Sequence, residues 1–137
     1  VMKVASGGEL SRISLAIAVT TSRLGEAQTL IFDEIDAGVG GAVGQAVGRL
    51  MRQLGIDRQV LAVTHLPQVA ACAEHHFVVN KQTGGGTPSS TVRPVQDEAR
   101  TLELARMLGG TEITRTSVEH AVQLLEQGAK SHPAVAA

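Results

Sequence analysis

The chain has 137 residues, a formal net charge of −1 and 43% hydrophobic residues, which suffices for one domain with an aliphatic core. With two phenylalanines and no basic cluster, it has no aromatic base-stacking platform for nucleic acid, and no DNA-binding surface can be argued from this segment. Its single cysteine excludes an internal disulfide and fits a reducing cytoplasm, and no apolar run is long enough to span a membrane.

A glycine turn, Ser6-Gly7-Gly8-Glu9, opens the chain and precedes a predicted helix over residues 8–24. Two glycines allow the backbone to approach an anion closely, and the start of the helix offers free N–H groups and a positive dipole end. The turn is therefore a candidate phosphate seat, although Ser-x-x-Glu alone is better explained as a helix capping box. The apolar face of the predicted helix consists of Leu10, Ile13, Ile17 and Leu24.

A short apolar strand, Leu30-Ile31-Phe32, ends in two carboxylates, Asp33 and Glu34. The uninterrupted apolar run is typical of a strand that is covered on both faces. Because burial of two adjacent carboxylates is costly, we expect them at the carboxyl end of the strand, where open α/β sheets bind ligands. Adjacent strand residues point to opposite faces, so one carboxylate could hold hydrated Mg²⁺ while the other orients an attacking water. A lone Asp-Glu pair would more often be a solvated acidic turn.

A flexible turn at residues 35–41 carries a third carboxylate, Asp36, before a second predicted helix that ends at Gly55. The following apolar strand, Val60-Leu61-Ala62-Val63, ends at Thr64-His65. A histidine at the end of such a strand can donate a hydrogen bond to a phosphate oxygen, although alone it would more often be a loop histidine. The apolar face of the second helix consists of Val43, Val47, Leu50, Met51 and Leu54.

The remaining sequence predicts a short helix at Leu66-Pro67, a β-hairpin and two further helices. The glycine-rich stretch at residues 83–90 joins the two hairpin strands, so we interpret it as a linker, and Pro94 favours an edge position for the second strand. Adjacent strand residues diverge, which disfavours a metal site at His75-His76. The last two helices are predicted from Leu102, Ala105 and Leu108, before Gly109-Gly110, and from Val118, Ala121, Val122 and Leu125.

Four of these segments resemble, in the correct order, the motifs of ABC-type ATPases of the SMC-like branch. Ser6 to Glu9 resembles the signature motif, and Leu30 to Glu34 resembles the Walker B strand with its catalytic glutamate. Residues 35–41 are similar to the D-loop, and His65 is similar to the switch histidine. Longer strings at residues 5–12, 31–41, 63–70 and 105–110 are similar to the C-terminal part of ATPase heads of bacterial double-strand-break repair.

The resemblance implies an α/β fold, the C-terminal lobe of a P-loop ATPase head, with parallel core strands, helices and an antiparallel hairpin. This lobe would span residues 1–128, and residues 129–137 would form a disordered tail. No Gly-x-x-x-x-Gly-Lys-[Ser/Thr] occurs in the sequence, so the Walker A loop and a coiled coil are expected upstream, and the isolated chain is expected to be inactive. The implied activity is ATP binding and hydrolysis in DNA repair and recombination, in the cytoplasm at the nucleoid.

The same resemblance implies ATP and Mg²⁺ as cofactors. Glu34 and His65 would be catalytic, Asp33 would bind the metal, and Asp36 would contact ATP and communicate across a dimer. The implied partners are the N-terminal head lobe of the same protein, a second head in an ATP sandwich, and DNA bound through the full-length protein. The residues that would bind the ATP of the partner head are Ser6, Gly7, Gly8 and Glu9.

Other classes of protein remain as alternatives. The chain could belong to another SMC-like repair ATPase or an ABC transporter subunit, although Glu9 stands where transporters often have glutamine. It could also be a module that dimerises without hydrolysing ATP. Such a module has no need of a carboxylate at Glu34, which favours an active ATPase.

Overall fold

The computed structural model of the chain describes residues 27–34, 36–109 and 111–130. The Ser6–Glu9 turn, the predicted helix over residues 8–24 and most of the predicted tail lie outside the described residues. The elements in chain order are β1 (Thr29–Asp33), α1 (Gly41–Leu54), β2 (Gln59–Val63), α2 (Pro67–Ala70), β3 (His76–Gln82), a 3₁₀ turn (Gly84–Gly86), β4 (Ser89–Val95), α3 (Asp97–Gly109) and α4 (Arg115–Lys130).

The strands form two separate two-stranded sheets within the described part of the chain. β1 and β2 pair in parallel, with Thr29 opposite Gln59 and Asp33 opposite Val63. β3 and β4 pair antiparallel as a hairpin. The predicted α/β architecture, with a parallel core pair and an antiparallel hairpin, is therefore confirmed.

The first core forms where α1 packs on one face of the parallel pair. Leu30 and Phe32 of β1 are buried against one face of α1, as the helical spacing predicts, and α1 is followed by Gly55 at its C-cap. Gly48 of α1 faces the turn after α2, where an added Cβ would stand 2.9 Å from Cys72 Sγ and 3.1 Å from Val69 Cα. The buried α1 and α2 residues of this core are Val43, Val47, Met51 and Val69.

The opposite face of the parallel pair is open. Ile31 is 68% exposed, Leu61 46% and Val63 53%. Within the described residues, α1 covers one face and no described element packs on the other, so the expected cover on the second face stays a prediction.

The second core lies between the end of α2 and the helices α3 and α4. Its centre is Leu104, which has no exposed surface, whereas Leu102 is 40% exposed, so the predicted apolar face of α3 is wrong at that position. The reason is that α3 packs against α2 and α4 through Leu104 and Ala105. Ala105 belongs both to the predicted apolar face and to the buried face that is observed. In α4 the prediction is likewise wrong at Val122, which is exposed. The buried residues of this core are Ala70, Ala71, Leu104, Ala105, Ala121 and Leu124.

Candidate functional site

The parallel pairing brings the ends of β1 and β2 together at one edge. Asp33 lies opposite Val63, and the backbone N–H of Glu34 donates to the Val63 carbonyl at 2.8 Å. The next residues of the second strand are Thr64 and His65. Asp33, Glu34 and His65 are all exposed, so this edge presents two carboxylates and an imidazole to solvent. The sequence-based expectation that these residues share one edge is confirmed.

Glu34 has an unusual backbone conformation. β1 ends at Asp33, and Glu34 follows with φ of +53°, in the left-handed region that non-glycine residues adopt uncommonly. Its carbonyl accepts a hydrogen bond from the Ala37 N–H at 3.1 Å, which closes a tight turn. Glu34 thus lies in a turn beyond the strand, so strand alternation does not set the direction of its carboxylate relative to that of Asp33. Strained backbone of this kind is concentrated at functional sites.

Asp36 points into the protein. It is 1% exposed, and its Oδ2 accepts a hydrogen bond from the Thr64 hydroxyl. The Thr64 Oγ1 in turn accepts the Leu66 N–H at 2.9 Å. The other oxygen of Asp36, Oδ1, is buried and has no hydrogen-bond partner. The contacts of the Asp36 side chain therefore lie within this chain, and its predicted contact with ATP stays a prediction.

The segment that follows His65 is held at its far end by two arginines. Arg52 Nη1 donates to the Cys72 carbonyl at 2.6 Å, and Arg100 Nη2 donates to the carbonyls of Ala70 at 3.0 Å and Ala73 at 2.7 Å. Cationic donors are favourable at a helix C-terminus, where carbonyls lack partners within the helix. Burial, and secondarily the nearby charge of Arg52, lowers the pKa of Arg100. The position of α2 thus depends on both arginines.

The sequence reasoning missed Thr64, Arg52 and Arg100. A threonine directly before His65 was a usable signal, because threonine hydroxyls close turns with the N–H two residues later. The two arginines lie far from α2 along the chain, and only the packing of α1 and α3 brings them to its end.

The histidine pair of the hairpin does not form a comparable site. His76 is half-buried, whereas His75 is exposed, and an open cleft of about 360 Å³ beside them is lined also by Asp97 and Arg100. Burial and then the Arg100 charge lower the pKa of His76, and Glu103 opposes that shift. In the described ranges, no three side chains of histidine, cysteine, aspartate or glutamate gather as possible metal ligands. No described helix is long and apolar enough to cross a membrane.

Comparison with known proteins gives many close relatives, although no protein-family model matches the chain. It is 50% identical over 125 residues to the DNA repair protein RecN of Vibrio cholerae. It is 45% identical over 124 residues to RecN of Halalkalibacterium halodurans, and 43% identical over 125 residues to RecN of Bacillus subtilis. These alignments cover 90–91% of the chain but 22–23% of each relative, so the chain spans less than a quarter of their length.

A solved SMC ATPase, studied for ATP-driven dimerization and DNA-stimulated activation, has the same fold, with a TM-score of 0.58 and 19% identity. The match covers 80% of this chain and 65% of that chain. At this identity the similarity establishes the fold alone, which is that of an SMC-type ATPase head. The relatives establish more, because their identities of 43–50% extend over nine-tenths of the sequence. Over nine-tenths of its length, the chain therefore corresponds to a segment of the DNA repair protein RecN that makes up less than a quarter of that protein.

Proposed function

We propose that residues 1–128 form the C-terminal lobe of an ATPase head, in a RecN-type protein that uses ATP binding and hydrolysis in DNA double-strand-break repair and recombination. The observation that carries this proposal is that Glu34 and His65 follow two paired parallel strands at the same carboxyl edge. Parallel α/β sheets bind their ligands at that edge. Similarity to RecN over nine-tenths of the chain and the SMC-type fold support the same activity. The protein is proposed to act in the cytoplasm, at the nucleoid.

The exposed side chains of this edge have distinct proposed roles. Glu34 accepts a proton from the attacking water or orients it, as a general base in phosphoryl transfer does. His65 donates a hydrogen bond to a phosphate oxygen. The signature residues Ser6 to Glu9, which lie outside the described residues, are proposed to contact the nucleotide of a partner head. Hydrolysis thus needs groups from this lobe and from elsewhere in the assembly.

The donor chemistry of the edge fits Mg²⁺. Asp33 offers exposed carboxylate oxygens, and Mg²⁺ in nucleotide sites is held by one or two carboxylates, phosphate oxygens and water. Asp33 is therefore the proposed metal ligand. When bound, the ion would neutralise developing charge on the phosphates.

The open apolar face of the parallel pair supports further protein partners. In the described chain β2 pairs with β1 alone, and Ile31, Leu61 and Val63 remain exposed. An apolar face and a free strand edge of this kind normally lie against other protein. We propose that the N-terminal lobe of the same head, with its Walker A loop, covers them. A second head would complete an ATP sandwich, and DNA would bind through the full-length protein.

Replacement of Glu34 by glutamine in the complete protein tests the proposal. Glu34→Gln keeps the size of the side chain but removes the base, so turnover should fall by roughly 10² to 10⁴ while Mg-ATP binding persists. ATPase rate, nucleotide affinity and the fraction of head dimers are measured together. Glu126→Gln, at an exposed position on α4, is the matched control and should hydrolyse ATP normally. A wild-type rate for Glu34→Gln would instead favour a module that dimerises without hydrolysis.

The isolated 137-residue chain provides a second test. It lacks the loop that wraps the β- and γ-phosphates, so we expect neither tight binding nor hydrolysis of ATP. Calorimetric titration of the chain with Mg-ATP measures the binding. Micromolar affinity would contradict the assignment of the main phosphate contacts to a missing lobe.

A further inference from the structure

Thr64 holds the backbone on both sides of His65. Its Oγ1 accepts the Leu66 N–H at 2.9 Å, which closes a small turn with His65 at its centre. Threonine turns of this type are weak when the hydroxyl is free to rotate. The conformation of Thr64 therefore determines how firmly His65 is held.

Asp36 fixes the orientation of that hydroxyl. The single Thr64 hydroxyl proton goes to Asp36 Oδ2, which leaves the lone pairs of Oγ1 for the Leu66 N–H. The acceptor is 1% exposed, and hydrogen bonds to charged acceptors are strong in such surroundings. The carboxylate, the hydroxyl and the amide thus form a directed chain of hydrogen bonds from one loop to the other.

The same carboxylate belongs to the turn that leaves Glu34. The Glu34 carbonyl accepts the Ala37 N–H and the Asp36 carbonyl accepts the Val39 N–H, both at 3.1 Å. Two consecutive turns of this kind hold Asp36 at a defined distance from Glu34. The bond from Asp36 to Thr64 then ties that turn to the loop of His65, beside the backbone bond from Glu34 to Val63.

We propose that Asp36 is a positioning residue for the ATPase reaction, and that it acts through the Thr64 hydroxyl to fix His65 relative to Glu34. This role rests on the proposed ATPase function of the site. It needs no contact between Asp36 and the nucleotide, which agrees with the burial of the side chain. Thr64 becomes the second positioning residue, although it offers no group to the reaction itself.

The test compares Thr64→Val with Thr64→Ser in the complete protein. Valine matches threonine in shape but lacks the hydroxyl, so kcat should fall about 10- to 100-fold, the usual effect of a small misplacement, while KM changes little. Serine keeps the hydroxyl and should restore kcat to near the wild-type value. Thr29→Val, at the exposed far end of the same strand pair, is the matched control and should leave kcat unchanged.

Two further measurements separate positioning from other roles. Asp36→Ala should lower kcat about as much as Thr64→Val, and the double variant should be no worse than either single one, because both break the same chain of bonds. Hydrogen exchange of the Leu66 amide should accelerate in Thr64→Val and not in Thr64→Ser. If Asp36→Ala does not fold, the two Thr64 variants still test whether the Thr64 hydroxyl positions His65.

Different results would overturn the positioning role of Asp36 and the proposed ATPase function. A wild-type kcat for Thr64→Val, in a protein whose turnover Glu34→Gln abolishes, would overturn the positioning role alone. An equal loss in Thr64→Ser, or multiplied losses in the double variant, would also overturn it. A higher dissociation constant for Mg-ATP in Asp36→Ala, without the same change in Thr64→Val, would indicate direct nucleotide contact instead.

Discussion

Gly128 of α4 lies directly against the backbone of Ala71, so closely that an added Cβ would stand 2.2 Å from the Ala71 carbonyl oxygen and 2.8 Å from its carbon. In an ordinary helix interior, replacement of glycine by alanine stabilises by about 1 kcal/mol. Here the clash involves backbone, which cannot rotate away. The contact therefore determines how close α4 approaches the turn after α2.

Gly128→Ala should lower the free energy of unfolding of the head, by about 1–3 kcal/mol, because the overpacked contact outweighs the gain in helix propensity. Denaturant unfolding of the variant measures the change. Gly109→Ala in α3 is the control, since its Cβ would make only ordinary contacts with Ser117 at 3.6 Å. Equal stabilities of the two variants would show that α4 can move away from α2 without cost.

Arg100→Met should destabilise the end of α2, because the carbonyls of Ala70 and Ala73 lose a charged donor. The Ala70 carbonyl keeps the Ala73 N–H at 3.2 Å and Ala73 is exposed, so only the two hydrogen bonds to the guanidinium are lost and the unfolding free energy should fall by about 1–2 kcal/mol. In the complete protein, ATP turnover should fall as well, since α2 follows His65. Arg49→Met is the control, because Arg49 is exposed on α1. Normal stability of Arg100→Met would mean that Arg52 alone holds the segment.

Stability should depend on pH through His76. Burial lowers its pKa in the folded state below the value of about 6.5 expected when unfolded, so the unfolded chain binds more protons in this range. The stability contributed by neutral His76 is present above that unfolded pKa and is lost as the pH falls towards the folded pKa. His76→Gln should flatten the unfolding profile between about pH 7 and pH 5. His75→Gln, at the exposed neighbour, should leave the profile unchanged, and an identical effect of both variants would contradict the assignment.

The isolated chain should self-associate through the open face of the parallel pair. Leu61→Lys places a charge on that face and should weaken association roughly tenfold, the equivalent of one large aliphatic side chain no longer buried. Analytical ultracentrifugation over a concentration series measures the dissociation constant. Ile56→Lys is the control, because Ile56 is 62% exposed but lies in the loop after α1. A wild-type chain that stays monomeric at high concentration would contradict this prediction.

The sequence predicted the two parallel strands, the helix between them and the hairpin, because their periodicity and their glycine and proline residues are local signals. It also placed Asp33, Glu34 and His65 at one edge, because in parallel pairs the carboxyl ends of strands lie together. The apolar face of α3 was misread, since Leu102 and Leu104 each lie at helical spacing from other apolar residues. Which of these two leucines is buried depends on where α2 and α4 pack against α3.

The hydrogen bond between Asp36 and Thr64 could not be predicted from the sequence, for a different reason. It needs the register of β1 on β2, which sets Asp33 opposite Val63, and it needs the turn after Glu34 to direct the Asp36 side chain inward. Neither the register nor the turn can be inferred from the composition of the loop, because a short acidic turn is ordinarily exposed to solvent. The exposure of Ile31 could not be predicted either, because an apolar run does not show whether the residues that would cover it lie nearby in the sequence.

The four residues of α2 connect regions that otherwise have separate interiors. Val69 belongs to the core beneath the strand pair, whereas the next residue, Ala70, belongs to the core of α3 and α4. A single helical turn is too short to contain a hinge, so α2 joins the two cores as one short rigid segment. We therefore expect a displacement of the histidine loop to be transmitted through α2 to α3 and α4, and a mechanical load on those helices to reach His65 by the same route.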